Sequence, residues 1–162
     1  MTALPHLARE AVNLAASKRL TIVTAESCTA GKLCALLAEA PGAATHLHGG
    51  FVTYTKVHKQ QALGVPEQLL KEKGAVCGEV AAAMARGALA RSPADVSVAI
   101  TGVAGPEPDE DGNPVGRVCI GLARHGTVHQ WQFDYGKLGR EEIEVRAMTD
   151  ALKLLMAAIE AR

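Results

Sequence analysis

Ser27 and Cys28 are two adjacent side chains whose types suit nucleophilic chemistry. They lie in the segment 24–31 (TAESCTAG), between a β-branched run at 20–23 and a Leu- and Ala-rich run at 32–38. This order predicts a strand, a turn and a helix, and the free N–H groups of a helix start can stabilise an anion. The segment therefore suggests a nucleophile beside an anion site. Ser and Thr are equally typical of an ordinary helix cap, so the segment alone leaves both interpretations open.

Lys59 is the candidate partner for this segment. It follows the β-rich run at 51–55 by about one helical turn, so its amine could reach back over the same site. A lysine on a short helix is more often a solvated charge. None of the six histidines forms an evident arrangement with an aspartate that would activate Ser27.

The elements that must position these residues follow from the hydrophobic periodicity. Helices are predicted at 4–18, 31–40, 56–63, 66–73, 78–91 and 140–161, and strands at 20–23, within 45–55, at 96–100, 115–123 and 127–135. Early helix–strand alternation with a late hairpin predicts an α/β fold, a three-layer α/β/α sandwich with a mixed β-sheet. Ligands of such sheets bind at the carboxyl ends of the strands, where the loops after Val23 and Ile100 would converge. The acidic segment 107–113 is predicted to be a solvated turn.

Composition limits the class of protein. The chain has 162 residues, 48% of them hydrophobic, so one domain spanning 1–162 with a sizeable core is expected. The formal net charge is zero and the pI is about 7.0. Without a broad basic face, and with only five aromatic side chains for stacking, the chain is not expected to bind nucleic acid.

The four cysteines are scattered without a C-x-x-C spacing, so neither a zinc site nor a disulfide framework is predicted, and no metal or cofactor is expected. The start of the chain lacks the basic and apolar pattern of a secretory signal. No apolar run approaches the roughly 20 residues that span a bilayer. We therefore expect a cytoplasmic protein with reduced thiols and no membrane partner.

Several ordered motifs carry a resemblance to a known family. They are TAESCT at 24–29, GFVTY at 50–54 with Lys59 and LGV at 63–65 beyond it, GAV at 74–76, TGVAGP at 101–106 and PVG at 114–116. Over nearly its whole length the chain resembles the CinA C-terminal-domain family, whose characterised members are nicotinamide mononucleotide deamidases. The resemblance implies hydrolysis of the carboxamide of this pyridine nucleotide to nicotinic acid mononucleotide and ammonia. It also implies a homodimer.

The resemblance implies a role for each matching residue. Ser27 would be the nucleophile, Lys59 the general base and Tyr54 an assisting tyrosine. Arg140 and Arg146 match basic positions near the start of the last helix, where a guanidinium could hold the phosphate. Substrate contacts are expected from Glu26, Cys28, Thr29, Ala30, Gly31, Thr101, Gly102, Gly105, Arg140 and Arg146.

The proposed roles place a demand on Lys59. Ser27 would become a nicotinoyl ester, and amides of the helix start would stabilise the oxyanion. Lys59 can take the Ser27 proton only when neutral, so burial must lower its pKa from about 10.4 to about 7. Two alternatives are a hydrolase that uses the Cys28 thiol and a non-catalytic nucleotide-binding or regulatory module. The joint presence of Ser27, Tyr54 and Lys59 favours the enzyme.

The chain departs from the family pattern at three places. Ala30 replaces the usual first glycine of a Gly-Gly pair, and it is expected to narrow the approach to the loop. The segment 136–140 (GKLGR) is longer than the usual Gly-Asp-Arg, and Cys77 occupies a position where serine is common.

Overall fold

A five-stranded sheet organises the chain in the computed structural model, which describes residues 3–161. The strands are β1 (Ile22–Glu26), β2 (Leu47–Val52), β3 (Val96–Gly102), β4 (Arg117–Arg124) and β5 (Thr127–Asp134). The helices are α1 (Ala3–Lys18), α2 (Lys32–Ala38), α3 (Ala43–His46), α4 (Lys56–Leu63), α5 (Glu67–Lys73), α6 (Gly78–Ala90) and α7 (Arg140–Glu160). None of these helices has the length and apolar character needed to bridge a bilayer.

The sheet is mixed, as the sequence predicts. Its strand order is β2-β1-β3-β4-β5. Strand β1 pairs in parallel with β2 and β3, whereas β3, β4 and β5 pair antiparallel. Because β1 and β3 are parallel neighbours, their carboxyl ends reach the same edge of the sheet. The loops that follow these two strands are therefore adjacent.

Helices cover both faces of the sheet, which confirms the predicted three-layer α/β/α architecture. Ile22 packs in a core cluster with residues of α1, α2 and α7. Val23 and Ala25 pack in a second cluster with residues of α4 and α6. Successive strand residues point to opposite faces, so β1 is buried on both sides and contributes to both clusters.

Among the element boundaries that differ from the predicted ones, three lie next to the site around Ser27. Strand β1 continues to Glu26 instead of ending at Val23, because residues 24–26 keep pairing with both neighbouring strands. Helix α2 begins at Lys32 because Gly31 has a left-handed φ of 92°. Strand β2 ends at Val52, so residues 53–55 leave the sheet and lead into α4.

Candidate active site

The loop at 27–31, between β1 and α2, carries Ser27. The Ser27 N–H donates to the Ile100 carbonyl at 3.0 Å, which ties the loop to β3. Ala30 and Gly31 follow with φ values of 50° and 92°, so the chain turns through two left-handed residues before α2. An alanine in this region is strained relative to glycine. The expected oxyanion donors need correction here, because the Ser27 N–H is occupied and α2 starts five residues later.

Glu26 shapes this loop from inside. Its buried carboxylate accepts bonds from the Thr29 hydroxyl at 2.7 Å and from the N–H groups of Leu33 and Cys34, both at 2.9 Å. It thereby caps the first turn of α2, which Gly31 cannot do because it has no side chain. Glu26 and Thr29 do not line the cavity described below. Their contact with the substrate stays a prediction, and in this structure both side chains are buried and bonded to each other.

Lys59 reaches Ser27 from α4. Its side chain is 1% exposed, and its Nζ lies 2.8 Å from Ser27 Oγ, 2.9 Å from the Thr53 carbonyl and 3.4 Å from the Tyr54 carbonyl. Burial and, to a smaller extent, the nearby charge of Lys56 lower the pKa of Lys59 to about 8. Most of Lys59 is therefore protonated at pH 7, but its neutral form is far more populated than that of a free lysine with a pKa of about 10.4.

The partners of Lys59 suit its amine in either protonation state. The ammonium has three N–H groups, which donate to Ser27 Oγ and to the carbonyls of Thr53 and Tyr54. The neutral amine has two N–H groups for the two carbonyls and one lone pair, which can then accept the Ser27 O–H. The second arrangement is the one that a general base requires.

Cys28, by contrast, is held as a thiol. It is 5% exposed, and burial, with a smaller effect from the charge of Glu144, raises its pKa to about 12. If Gly102 carried a Cβ atom, that atom would lie 3.2 Å from Cys28 Sγ. The sulfur therefore packs against the backbone of β3. The thiolate is the nucleophilic form of cysteine, and this site disfavours it. The burial of Cys28 therefore favours Ser27 over Cys28 as the nucleophile.

A cavity of about 470 Å³ opens in front of Ser27 at the carboxyl ends of β1 and β3. Its lining comprises Ser27, Cys28, Tyr54, Thr55, Lys56, Lys59, Ala75, Val76, Thr101, Gly102, Val103, Ala104, Gly105, Glu107, Asp109, Glu110, Asp111 and Arg140. The structure therefore brings together most of the residues that the sequence proposed. Ala30, Gly31 and Arg146 lie outside this lining. Within residues 3–161, no group of three or more His, Cys, Asp or Glu side chains could hold a metal ion.

The loop after β3 forms one wall of the cavity. The Thr101 hydroxyl donates to the Ala75 carbonyl at 2.8 Å, which fixes the segment before α6 beside the end of β3. Gly102 has no space for a side chain, because a Cβ there would meet Val118 at 2.8 Å. Thr101 and Gly102 therefore present mainly backbone to the cavity.

Arg140, the first residue of α7, closes the opposite side. Its Nη1 donates to the Gly105 carbonyl at 2.9 Å and its Nη2 to the Tyr54 hydroxyl at 3.4 Å. Tyr54 thus contacts Lys59 through its carbonyl and Arg140 through its hydroxyl, and the assisting role of its side chain stays a prediction. Arg146 pairs instead with Glu142 on the exposed part of α7, at 3.0 Å.

The acidic segment at 107–111 is an exposed turn, as the sequence predicted, and it also lines the cavity. Lys56 at the start of α4 holds it, with Nζ 2.8 Å from Asp111 and 3.1 Å from Glu110. Asp111 also accepts from the Ala75 N–H at 3.3 Å. One signal was available in the sequence, because this segment directly continues the predicted site loop at 101–106.

Cys77, where the family commonly has serine, occupies a helix-cap position. Cys77 is the N-cap residue of α6 and makes no side-chain cap bond. A serine there could accept a bond from the first turn, which is the usual reason for serine at such a position. Cys77 does not line the cavity.

The fold and this site define an α/β protein with a buried serine–lysine pair at the carboxyl edge of a mixed sheet. The sequence model of the CinA C-terminal domain matches residues 5–159. The chain therefore belongs to the CinA C-terminal domain family. It is similar to a CinA-like protein of Mycolicibacterium vanbaalenii, with 43% identity over 139 residues that cover 86% of this chain and 33% of the relative. The chain spans about a third of the length of the curated relatives it matches.

Solved structures of the same superfamily share the fold. A CinA superfamily protein of Escherichia coli matches with a TM-score of 0.91 and 37% identity, covering 95% of this chain and 90% of that one. A competence/damage inducible protein of Agrobacterium tumefaciens matches with a TM-score of 0.92 and 38% identity, covering 98% of this chain and 96% of that one. In both comparisons, similarity of sequence and similarity of fold extend over nearly the whole chain.

Proposed function

We propose that this protein is an amidase that hydrolyses the carboxamide of nicotinamide mononucleotide to nicotinic acid mononucleotide and ammonia. The observation that carries the proposal is the 2.8 Å contact between the buried Lys59 amine and Ser27 Oγ, with the Lys59 pKa lowered to about 8. A neutral amine in contact with a serine hydroxyl is the minimum apparatus for acyl transfer. The resemblance to a family with characterised deamidases supplies the substrate.

The reaction would proceed through two acyl-transfer steps. Ser27 Oγ attacks the carboxamide carbon while its proton moves to Lys59 Nζ. The tetrahedral intermediate collapses, the C–N bond breaks, and the Lys59 ammonium returns the proton to the departing ammonia. Water then attacks the nicotinoyl ester, with Lys59 again taking the proton and returning it to Ser27 Oγ.

The backbone of Cys28 is our candidate for the oxyanion donor. No backbone carbonyl of the described residues accepts from its N–H, and Cys28 lines the cavity beside Ser27. A donor that is already oriented toward a developing oxyanion stabilises the transition state without further reorganisation. Cys28 would then contribute its backbone to catalysis and its buried thiol to packing.

The charges around the cavity suit a zwitterionic nucleotide. Nicotinamide mononucleotide carries a cationic pyridinium ring and an anionic phosphate. The rim offers carboxylates from 107–111 for the first and the Arg140 guanidinium for the second. A volume of about 470 Å³ lies within the range of small-molecule sites.

The test is ammonia release from nicotinamide mononucleotide by wild type, Ser27→Ala and Cys28→Ala. Ser27→Ala should abolish release, whereas Cys28→Ala should keep most of it because its N–H remains. Circular dichroism controls for folding. Loss in Cys28→Ala alone would overturn the assignment of the nucleophile. Nucleotide binding without release by the wild type would support the non-catalytic module instead.

A further inference from the structure

Glu144 is a buried carboxylate that the proposed reaction does not use. It lies on α7, is 3% exposed, and pairs with two cations from different elements. Its Oε1 lies 3.1 Å from Arg140 Nε, and its Oε2 accepts a bond from Lys32 Nζ. A carboxylate buried in this way is retained at a cost in desolvation, which two cationic partners offset.

The pairing decides which way Arg140 faces. A guanidinium is planar, so a contact that fixes its Nε edge also fixes the direction of the Nη1–Nη2 fork. That fork points to the Gly105 carbonyl and the Tyr54 hydroxyl, and both residues line the cavity. Both partners are neutral acceptors. An anionic group of a ligand would form stronger, charge-assisted bonds with the same fork.

The second partner connects Glu144 to the Ser27 loop. Lys32 is the first residue of α2 and directly follows the loop at 27–31. One carboxylate therefore joins the start of α7, which carries Arg140, to the helix that follows the nucleophile. This connection links the element that carries the Arg140 fork to the element that follows Ser27.

The same helix contains a matched pair that lacks these features. Glu142 and Arg146 also form an i,i+4 pair, at 3.0 Å, but their side chains are about half exposed. Arg146 does not line the cavity. An ion pair in that setting contributes little to stability.

We infer that Glu144 is a positioning residue: its carboxylate aims the Nη1–Nη2 fork of Arg140 at the anionic group of the substrate and holds it in register with Ser27. The inference rests on the proposed function for the identity of the substrate. Since Ser27 and Lys59 have no contact with Glu144, its loss should weaken substrate binding and leave the chemical step largely intact.

The experiment compares Glu144→Gln with Glu142→Gln in steady-state kinetics on nicotinamide mononucleotide. Loss of one oriented, charge-assisted contact should raise KM about tenfold in Glu144→Gln. Its kcat should change less than about twofold, since the mutation removes binding in the ground and transition states alike. Glu142→Gln should match the wild type in both constants.

A double-mutant cycle separates positioning from a general structural effect. In an Arg140→Ala background, Glu144→Gln should have no further effect on KM, because the group that it positions is gone. Arg140→Lys tests the same point without altering Glu144, since an ammonium has no Nε and cannot present a fork; its KM should rise by a similar factor. The Arg140→Lys result decides the inference if Glu144→Gln fails to fold.

Three results would overturn the inference: an unchanged KM in Glu144→Gln or Arg140→Lys, an equal effect in Glu142→Gln, or an undiminished effect of Glu144→Gln in the Arg140→Ala background. If the wild type releases no ammonia, the proposed function fails and calorimetric binding of nicotinamide mononucleotide replaces KM. Weaker binding by Glu144→Gln than by Glu142→Gln would still support the positioning role. Equal binding by these two variants would overturn it.

Discussion

Replacing Lys59 by methionine should make the stability of the protein less dependent on pH. Lys59 is 1% exposed, and burial holds its pKa at about 8 instead of 10.5. Methionine has a similar length and no charge to bury. The variant therefore removes the group that titrates differently in the folded and unfolded states.

The sign and size follow from proton linkage. Between pH 8 and 10.5 the unfolded chain binds more protons at this site than the folded protein, so the free energy of unfolding rises with pH. Below pH 8 the folded protein carries the full penalty, which at about 1.4 kcal/mol per pKa unit amounts to about 3 kcal/mol. The penalty disappears above pH 10.5. Between pH 7 and pH 10, the wild type should gain about 2.5 kcal/mol relative to Lys59→Met.

This change with pH is a better measure than the difference at one pH. Methionine also leaves the Thr53 carbonyl without its Lys59 donor, which costs about 1 kcal/mol at every pH. That constant cancels when the two pH values are compared. Other titrating groups are common to both proteins and cancel as well.

The assay is urea unfolding of both proteins at several pH values from 7 to 10, followed by circular dichroism. Lys71→Met is the matched control, because Lys71 is exposed on α5 and its removal takes away a lysine but no buried charge. It should show no comparable change with pH. A stability difference between wild type and Lys59→Met that stays constant from pH 7 to 10 would refute the reasoning about Lys59.

The remaining predictions concern three residues. Lys59→Arg should release no ammonia, because a guanidinium cannot take the Ser27 proton; an active variant would exclude Lys59 as the base. Glu26→Gln should lower the free energy of unfolding by about 3 kcal/mol in urea titrations, because the buried contacts that cap α2 lose their charge; a change near zero would exclude the capping role. Cys77→Ser should raise the free energy of unfolding by up to about 1 kcal/mol through a new cap on α6, and a decrease would contradict this.

Much of the fold follows from local pattern. The runs at 96–100 and 127–135 have the β-branched content of strands, and the structure places β3 and β5 there. Parallel pairing of β1 and β3 then brings the loops after them to one edge. The proximity of Ser27 to Thr101 and Gly102 at this edge could therefore be predicted from the sequence.

The orientation of the Glu26 side chain could not be predicted from the sequence. The prediction ended β1 at Val23, which left Glu26 in a loop and free to face a ligand. Because the strand continues, side chains alternate through Glu26, and its carboxylate falls on the face that α2 covers. A difference of three residues in a strand boundary therefore changes a substrate contact into a helix cap.

The contribution of the acidic segment 107–111 to the cavity was missed for a different reason. Lys56 and Asp111 are 55 residues apart, and no local pattern pairs a cation with a carboxylate over that distance. The contact of the Tyr54 hydroxyl with Arg140 is also long-range, because the two residues are 86 positions apart. Such contacts depend on how loops cross the sheet edge, which periodicity does not encode.

The distribution of carboxylates explains how this site holds charged and neutral amines side by side. Lys56 pairs with Glu110 and Asp111, and the bond to Asp111 raises its pKa. Lys59 lies three residues after Lys56 on α4. Among its described contacts it meets only the neutral oxygens of a serine and two carbonyls, and burial lowers its pKa. The persistent charge of Lys56 lowers the pKa of Lys59 further. Environments that separate the pKa values of neighbouring groups in this way allow one cationic group to bind and another to act as a base at the same pH.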